Sequence, residues 1–197
     1  MIVVIKVGGS LLDWPLLPDR LSQCLRLFDG AKVAMIVGGG QAADLVRSFD
    51  QTHGLGETRA HALALDSLTL TSRLMAMLIP DCEVVETLAE IERVWSRQKL
   101  PIFAPGVFMM SVDPNLADPL PKTWQTTTDS IAARVARTIA ADRLVLLKSD
   151  SLPTDQTREQ AALAGYVDSN FPRASRSFST IGVINLRAEP LQIERLL

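Results

Sequence analysis

Two stretches of this chain, Val3-Val4-Ile5 and Leu144-Val145-Leu146-Leu147, are apolar at every position rather than at every second one. A strand with one solvated face alternates polar and apolar side chains, so an unbroken apolar strand has to be covered on both faces. That points to a sheet sandwiched between helices. The remaining segments agree, because short β-branched runs alternate with longer stretches of helical period, the pattern of an α/β protein with a mainly parallel central sheet. Strands are expected at Ile2 to Val7, Lys32 to Val37, Glu83 to Glu86, Pro101 to Ala104, Arg143 to Lys148 and Thr180 to Leu186. Helices are expected at Leu17 to Phe28, Gly40 to Gln51, Glu57 to Leu78, Leu88 to Gln98 and Thr128 to Ala141. In the last of these, Ile131, Val135 and Ile139 form one apolar stripe, which leaves Arg134 and Arg137 to face water. Pro105 to Thr128 is rich in proline and poor in helix formers and reads as a long excursion, and Ser149 to Arg158 and Asp168 to Ser179 as further irregular stretches.

With 197 residues, 47% of them hydrophobic and 21% charged, the chain suits a single domain spanning 1–197 with a core that needs no staples. A formal net charge of -2 gives no general attraction to polyanions, which argues against nucleic acid or an anionic membrane surface as the main partner. A small phosphorylated ligand needs only local positive groups and is not excluded. Cys24 and Cys82 lie far apart in mainly apolar stretches, so buried thiols are expected rather than a disulfide. The opening MIVVIKVGGS lacks the length and flanks of a secretory signal, no apolar run reaches a membrane span, and a cytoplasmic protein is the default expectation.

Chemistry concentrates where strands end. VVIKVGGS and LVLLKSDS each run apolar residues into a lysine, Lys6 and Lys148. An ammonium group inside an apolar sheet is costly to desolvate, so both are expected in the crevice beyond the carboxyl ends of the strands, where open α/β sheets bind ligands. The alternative is that each simply snorkels to solvent. Gly8-Gly9-Ser10 follows the first lysine and Gly38-Gly39-Gly40 follows the second strand. Without side chains such turns let backbone N–H groups face an anion, although tight turns that need positive φ would use glycine too. Neither run matches the P-loop or dinucleotide fingerprint. The run Thr126-Thr127-Thr128-Asp129-Ser130 opens the amphipathic helix; capping explains part of it, while a carboxylate among ammonium groups would hold them in place and hydroxyls would donate to phosphate oxygens. Phosphoryl transfer asks mainly for positioning and charge stabilisation, which such a set supplies.

Taken in order, Lys6-Val7-Gly8-Gly9-Ser10, Val37-Gly38-Gly39-Gly40, Thr128-Asp129-Ser130-Ile131-Ala132-Ala133 and Leu147-Lys148 resemble the amino acid kinase family over residues 1 to about 150. The resemblance implies a three-layer αβα sandwich, ATP as phosphoryl donor, Mg²⁺, and a homodimer. It also implies roles: Lys6 on the transferring group, Gly8, Gly9 and Ser10 on the phosphates, Gly38, Gly39 and Gly40 on the acceptor, and Asp129 organising the lysines. Lys148 is similar to a lysine of uridylate kinases at a position where other members have Ser or Thr. Thr128, Ser149 and Asp150 complete the expected nucleotide-side contacts, and no protein metal ligand is expected. On this reading 1–141 is the acceptor part and 142–197 a shortened nucleotide part, since SDSLPTDQT stands where many relatives have a VDGV-like turn.

Asp118-Pro119-Leu120-Pro121 with Trp124, and Gly165-Tyr166-Val167-Asp168 with Phe171, are similar to a subgroup that phosphorylates (5-(aminomethyl)furan-3-yl)methyl phosphate in one-carbon carrier biosynthesis. An ammonium-bearing acceptor would want a carboxylate and an aromatic face, for which Asp168 and Trp124 or Phe171 are candidates; the aromatic pair also suits loop anchoring. The shortened nucleotide part leaves open a protein of the same fold that binds nucleotide or oxyanion without transfer. His53 and His61 lie without partners that would make a metal site, and are expected at the surface or a helix start. Leu68, Leu74, Met75, Met77 and Leu78 read as core or dimer contacts.

Overall fold

The computed structural model describes residues 1–152 and 156–197, so the middle of the irregular stretch from Ser149 to Arg158 lies outside the described residues. β1 (Ile2–Val7), β2 (Lys32–Val37), β3 (Cys82–Val85), β4 (Leu100–Phe103), β5 (Arg143–Lys148), β6 (Ile181–Asn185) and β7 (Glu194–Leu196) form one 7-stranded sheet in the order β3-β4-β2-β1-β5-β6-β7. Neighbours are parallel except β6 and β7. The helices are α1 (Leu17–Leu25), α2 (Gly40–His53), α3 (Glu57–Leu78), α4 (Leu88–Trp95), α5 (Thr128–Thr138), α6 (Arg158–Leu163) and α7 (Phe171–Ala174). The expected mainly parallel αβα sandwich is what the chain forms.

Strand alternation divides the core in two. Val4, Ala34, Ile36, Leu144 and Leu146 pack on the face covered by α4 and α5, and Val3, Ile5, Met35, Val145 and Leu147 pack on the face covered by α1. Both central strands are buried on both faces, which is why their sequences do not alternate. From β1 the chain passes first to β2, β4 and β3 on one side, while β5, β6 and β7 lie on the other. The strand order therefore reverses beside β1, and the crevice at the carboxyl ends of β1 and β5 is the switch point where such sheets bind ligands.

Several boundaries differ for identifiable reasons. The helix expected to reach Phe28 tightens into a 3-10 turn over Arg26–Phe28. The one expected to reach Ala141 stops at Thr138, and Ala140 takes a left-handed φ of 51° that a continuing helix excludes. α4 ends at Trp95, short of Gln98, and Gln98 has a φ of 58°. α7 sits inside a stretch read as irregular, and α6 starts at the last residue of another and continues where no element was expected. α6 opens with a capping box in which Thr157 and Gln160 satisfy each other's backbone, a signal that was present in the sequence. β7 is a three-residue edge strand, too short to carry a period.

Arg134 does not face water. It is buried, pairs with Asp113 at 3.1 Å, and donates to the carbonyls of Ala117 and Asp118. The proline-rich excursion folds back over α5, which converts a solvent-facing helix position into an anchor for that loop. Arg137 is exposed, as expected. Cys24 is buried and Cys82 half-buried, both free. Among the described residues no helix is long and apolar enough to cross a membrane.

Candidate active site

Strand parity brings the lysines together. Lys6 pairs in register with Leu146, two residues before Lys148, and even-numbered residues of β1 and β5 face the α5 layer. Both ammonium groups therefore leave the sheet on the side where α5 begins. Asp129, in the first turn of α5, meets them: Lys6 Nζ lies 2.9 Å from its Oδ1 and Lys148 Nζ donates to its Oδ2 at 2.8 Å. Lys148 also donates to the Tyr166 carbonyl at 2.6 Å and sits 5.1 Å from that ring. Lys6 and Asp129 are 5% and 4% exposed, so the cluster is an internal one and not a surface ion pair. Burial would raise the Asp129 carboxyl, but the charges of Lys6 and Lys148 outweigh it and hold the group below its ordinary range. Burial pushes Lys148 below the ordinary lysine range, with the Lys6 charge adding to it and Asp129 opposing.

The glycine turns lie against each other. A Cβ on Gly9 would stand 2.5 Å from Gly40 N, and one on Gly38 2.6 Å from Gly9 N, so the loops touch backbone to backbone. Gly8 N donates to Leu147 O at 2.9 Å and Gly38 N to Val7 O at 2.8 Å, which fixes both turns to the strand ends. Gly40 has a φ of +51°. Packing alone thus requires these glycines, and the same packing places a side-chain-free surface beside Lys6. On the β5 side, Ser10 Oγ and Ser149 Oγ lie 3.0 Å apart and Ser149 donates to Asp150 Oδ2 at 2.9 Å. Arg187, which the sequence did not single out, donates to Ser10 O at 3.1 Å.

The acceptor-side candidates separate into two groups. Gly39 and Trp124 line one small cavity of about 80 Å³ together with Arg47, His61 and the nucleotide-side candidate Thr128. Trp124 donates from Nε1 to Asp50 at 2.8 Å and its ring lies 4.8 Å from the Arg47 guanidinium, so it anchors the loop to α2 and lines the cavity at once. Phe171 is wholly buried in the core. Asp168 is engaged within the protein. Its Oδ2 accepts from Thr127 N at 3.2 Å, Thr127 Oγ1 at 2.8 Å and Ser130 N at 3.0 Å, and its Oδ1 from Ser130 Oγ at 2.5 Å and Asn170 N at 3.1 Å. With its oxygens occupied in this way, Asp168 caps α5 and so positions Asp129. Burial pushes its carboxyl above the usual range, opposed by the Ser130 and Thr127 hydrogen bonds.

His61 corrects the surface half of its expectation, being 5% exposed in the opening turns of α3, with Nε2 unpartnered among the described residues. Its spacing to Leu65 and Leu68 on the buried stripe was the signal that places it inward. Met75 is core, whereas Met77 is 83% exposed. Among the described residues no group of three or more His, Cys, Asp or Glu side chains is placed to hold a metal ion.

A family model described as "Amino acid kinase family" matches residues 1–151. Among curated proteins, a [5-(aminomethyl)furan-3-yl]methyl phosphate kinase of Methanocaldococcus jannaschii is 25% identical over 145 residues, covering 73% of this chain and 63% of that protein. A uridylate kinase of Metallosphaera sedula is 28% identical over 155 residues, covering 75% of this chain and 61% of its own. The chain thus spans about three-fifths of the length of these curated relatives. Among solved structures, uridylate kinase of Archaeoglobus fulgidus aligns with a TM-score of 0.60 at 20% identity, over 93% of this chain and 89% of that one. Aspartate kinase from Synechocystis aligns at 0.67 and 13%, over 100% and 40%. With the motif residues gathered at the switch point of a matching sheet, and the family pattern running through more than three-quarters of its length, the chain belongs to the amino acid kinase family.

Proposed function

We propose that the chain is a phosphotransferase that moves the terminal phosphoryl group of ATP to a small-molecule acceptor. The observation that carries this is the Lys6–Asp129–Lys148 cluster beside two interlocked glycine turns. Asp129 offsets the cost of gathering two cations, and each ammonium group retains hydrogens for phosphate oxygens, since a lysine has three to donate. In this reading Gly8, Gly9, Ser10, Thr128, Ser149 and Asp150 meet the nucleotide. Gly38, Gly39, Gly40 and Trp124 meet the acceptor, and Asp168 acts through α5. Residues 1–141 hold the acceptor and 142–197 the nucleotide.

The donor set of this site is cationic and hydroxyl-rich, and its most buried carboxylate is already shared between lysines. Mg²⁺, which prefers oxygen ligands and keeps much of its water, fits here as an ion carried on the ATP phosphates, with Asp150 and Ser149 nearest in chemistry. When bound it would neutralise phosphate charge. The relatives support acceptors of the phosphomonoester class, of which (aminomethyl)furan-methyl phosphate in one-carbon carrier biosynthesis is the first to test. The exposed Leu63, Leu70, Leu74, Met77 and Leu78 on α3 support a homodimer. A cytoplasmic setting accords with these small soluble substrates.

ADP release with a panel of phosphomonoester acceptors tests the proposal. Lys6→Ala should lower kcat/KM on the order of 10²-fold or more, the scale for losing a charge-stabilising contact to the transferring group. Equal rates for wild type and variant would refute it. ATP binding without turnover on any acceptor would favour the non-catalytic reading instead.

A further inference from the structure

At the end of the sheet opposite the lysines lies a cavity of about 900 Å³ that the phosphotransfer reading does not use. Strand register explains its shape. Val145 pairs with Gly182, and Gly182 with Arg195 on β7. Alternation puts Arg143, Val145, Gly182 and Arg195 on one face of the sheet, the face that Phe28 borders. Gly182 carries no side chain, and Val145 and Ile193 close over it: a Cβ there would stand 3.2 Å from Val145 Cγ2 and 3.3 Å from Ile193 Cγ2. Arg143 and Arg195 therefore flank an apolar floor made by Val145 and Ile193, and Arg137, at the end of α5, lines the same cavity.

The charge balance here is unlike that of the whole chain. Among the described residues, none of the guanidinium groups of Arg137, Arg143 and Arg195 has a salt-bridge partner, although the protein carries a formal net charge of -2. All three are exposed, and the buried arginines behave differently. Arg20, Arg134 and Arg158 are each tied to backbone carbonyls. Asp142, a carboxylate in the lining, already has Oδ2 accepting from Ile2 N at 2.7 Å. Ser177, Ser179 and Thr180 add hydroxyls to the rim. Three forked guanidinium donors against one carboxylate, around a concave site with hydroxyls beside them, leave an excess of positive charge that suits phosphate oxygens.

We infer that this cavity is a second anion site, which takes a small phosphate-bearing molecule and is separate from the phosphotransfer centre. The occupant is a ligand and not a reactant, because Lys6 and Lys148 stand at the other ends of β1 and β5. β5 itself spans from Arg143 to Lys148, roughly 17 Å at the usual rise of a strand. Apolar walls from Phe28, Val145 and Ile193 suit an organic portion attached to the phosphate.

Equilibrium dialysis of the intact chain with labelled inorganic pyrophosphate, at low ionic strength, tests this independently of any kinase activity. The Lys6→Ala protein, weakened at the phosphotransfer centre, should still bind pyrophosphate saturably. Adding Arg143→Ala and Arg195→Ala to it should weaken that binding at least ~10-fold, the scale of losing charge-assisted hydrogen bonds. Arg143→Lys with Arg195→Lys, which keeps every charge and removes the forked donors, should weaken it in the same direction by a smaller factor. Arg59→Ala with Arg73→Ala removes equal charge elsewhere on the surface and should change binding little. The inference is overturned if the Lys6→Ala protein has no saturable site, if the Arg143 and Arg195 changes leave binding intact, or if the Arg59 and Arg73 control weakens it equally. Far-ultraviolet circular dichroism confirms that each variant is folded; should the alanine variants unfold, the lysine variants decide.

Discussion

Asp129→Asn removes one negative charge and leaves the volume of the site almost unchanged, so its effect isolates what the carboxylate does for the two lysines. In the wild type both oxygens are engaged, at 2.9 Å with Lys6 and 2.8 Å with Lys148, in a site from which water is nearly excluded. Removing one partner of a buried ion pair costs ~3–5 kcal/mol, because the charge left behind is desolvated and unpaired. Here two charges are left, and two unit charges roughly 5 Å apart repel by ~3 kcal/mol at an effective dielectric of ~20. Lys148, already pushed below its ordinary range by burial and by Lys6, has the means to relieve that repulsion by giving up its proton. The net loss of stability at neutral pH is therefore expected at ~3–5 kcal/mol, out of the ~5–15 that a domain of this kind has.

The pH dependence gives the sign. In the variant the folded state holds Lys148 neutral at pH values where the unfolded chain still protonates it, so unfolding takes up a proton and stability rises as pH increases toward the ordinary lysine range. In the wild type the folded Asp129 titrates below its unfolded value, so its contribution is present above the unfolded value and is lost as pH falls through the folded one. Urea denaturation followed by circular dichroism at a series of pH values measures both. A variant within about 1 kcal/mol of wild type, with no gain at alkaline pH, would resemble loss of an exposed ion pair and would refute the buried-cluster reasoning.

Gly9→Ala should destabilise by ~2 kcal/mol or more and abolish turnover, since its Cβ would lie 2.5 Å from Gly40 N and backbone must shift; Gly106→Ala, where φ is not left-handed and a Cβ would meet nothing within 4 Å, serves as the folding control and should leave turnover intact. Asp168→Ala should cost ~2 kcal/mol or more by stripping the α5 cap from Thr127 and Ser130. In the same variant the nucleotide-dependent kcat should fall further than acceptor KM rises, and a KM effect alone would instead place Asp168 against the acceptor. Burial pushes the Cys24 thiol up to about 12, so a thiol reagent at pH 8 should leave Cys24 unlabelled until the chain is unfolded. Mass spectrometry reads this directly, and rapid native labelling of Cys24 would contradict its position in the core.

What the sequence reveals about this protein follows from what is local. Apolar runs at Val3 to Ile5 and Leu144 to Leu147 announce a doubly covered sheet, because covering both faces removes alternation within the segment itself. The long helix from Glu57 to Leu78 is legible end to end, since a turn at Gly54 to Gly56 precedes twenty-two residues of helical pattern. Lys6 and Lys148 are legible as strand-end groups, because an ammonium group at the end of an apolar run has few inexpensive places to go. The Thr127 cap is local chemistry too.

Tertiary structure decided which of these groups touch. Asp129 reaches both lysines only because β1 and β5 pair in a register that sets Lys6 opposite Leu146, with α5 laid over that face; no spacing along the chain encodes it. Arg134 turned inward once Asp113 and Asp118 folded back over the helix, and Asp168 became a cap on α5 once it met the distant Thr127 and Ser130. The reason is physical. Periodicity and propensity are fixed by neighbours a few bonds away, whereas the partner of a charged side chain is chosen by whichever distant segment arrives to share its exclusion from water.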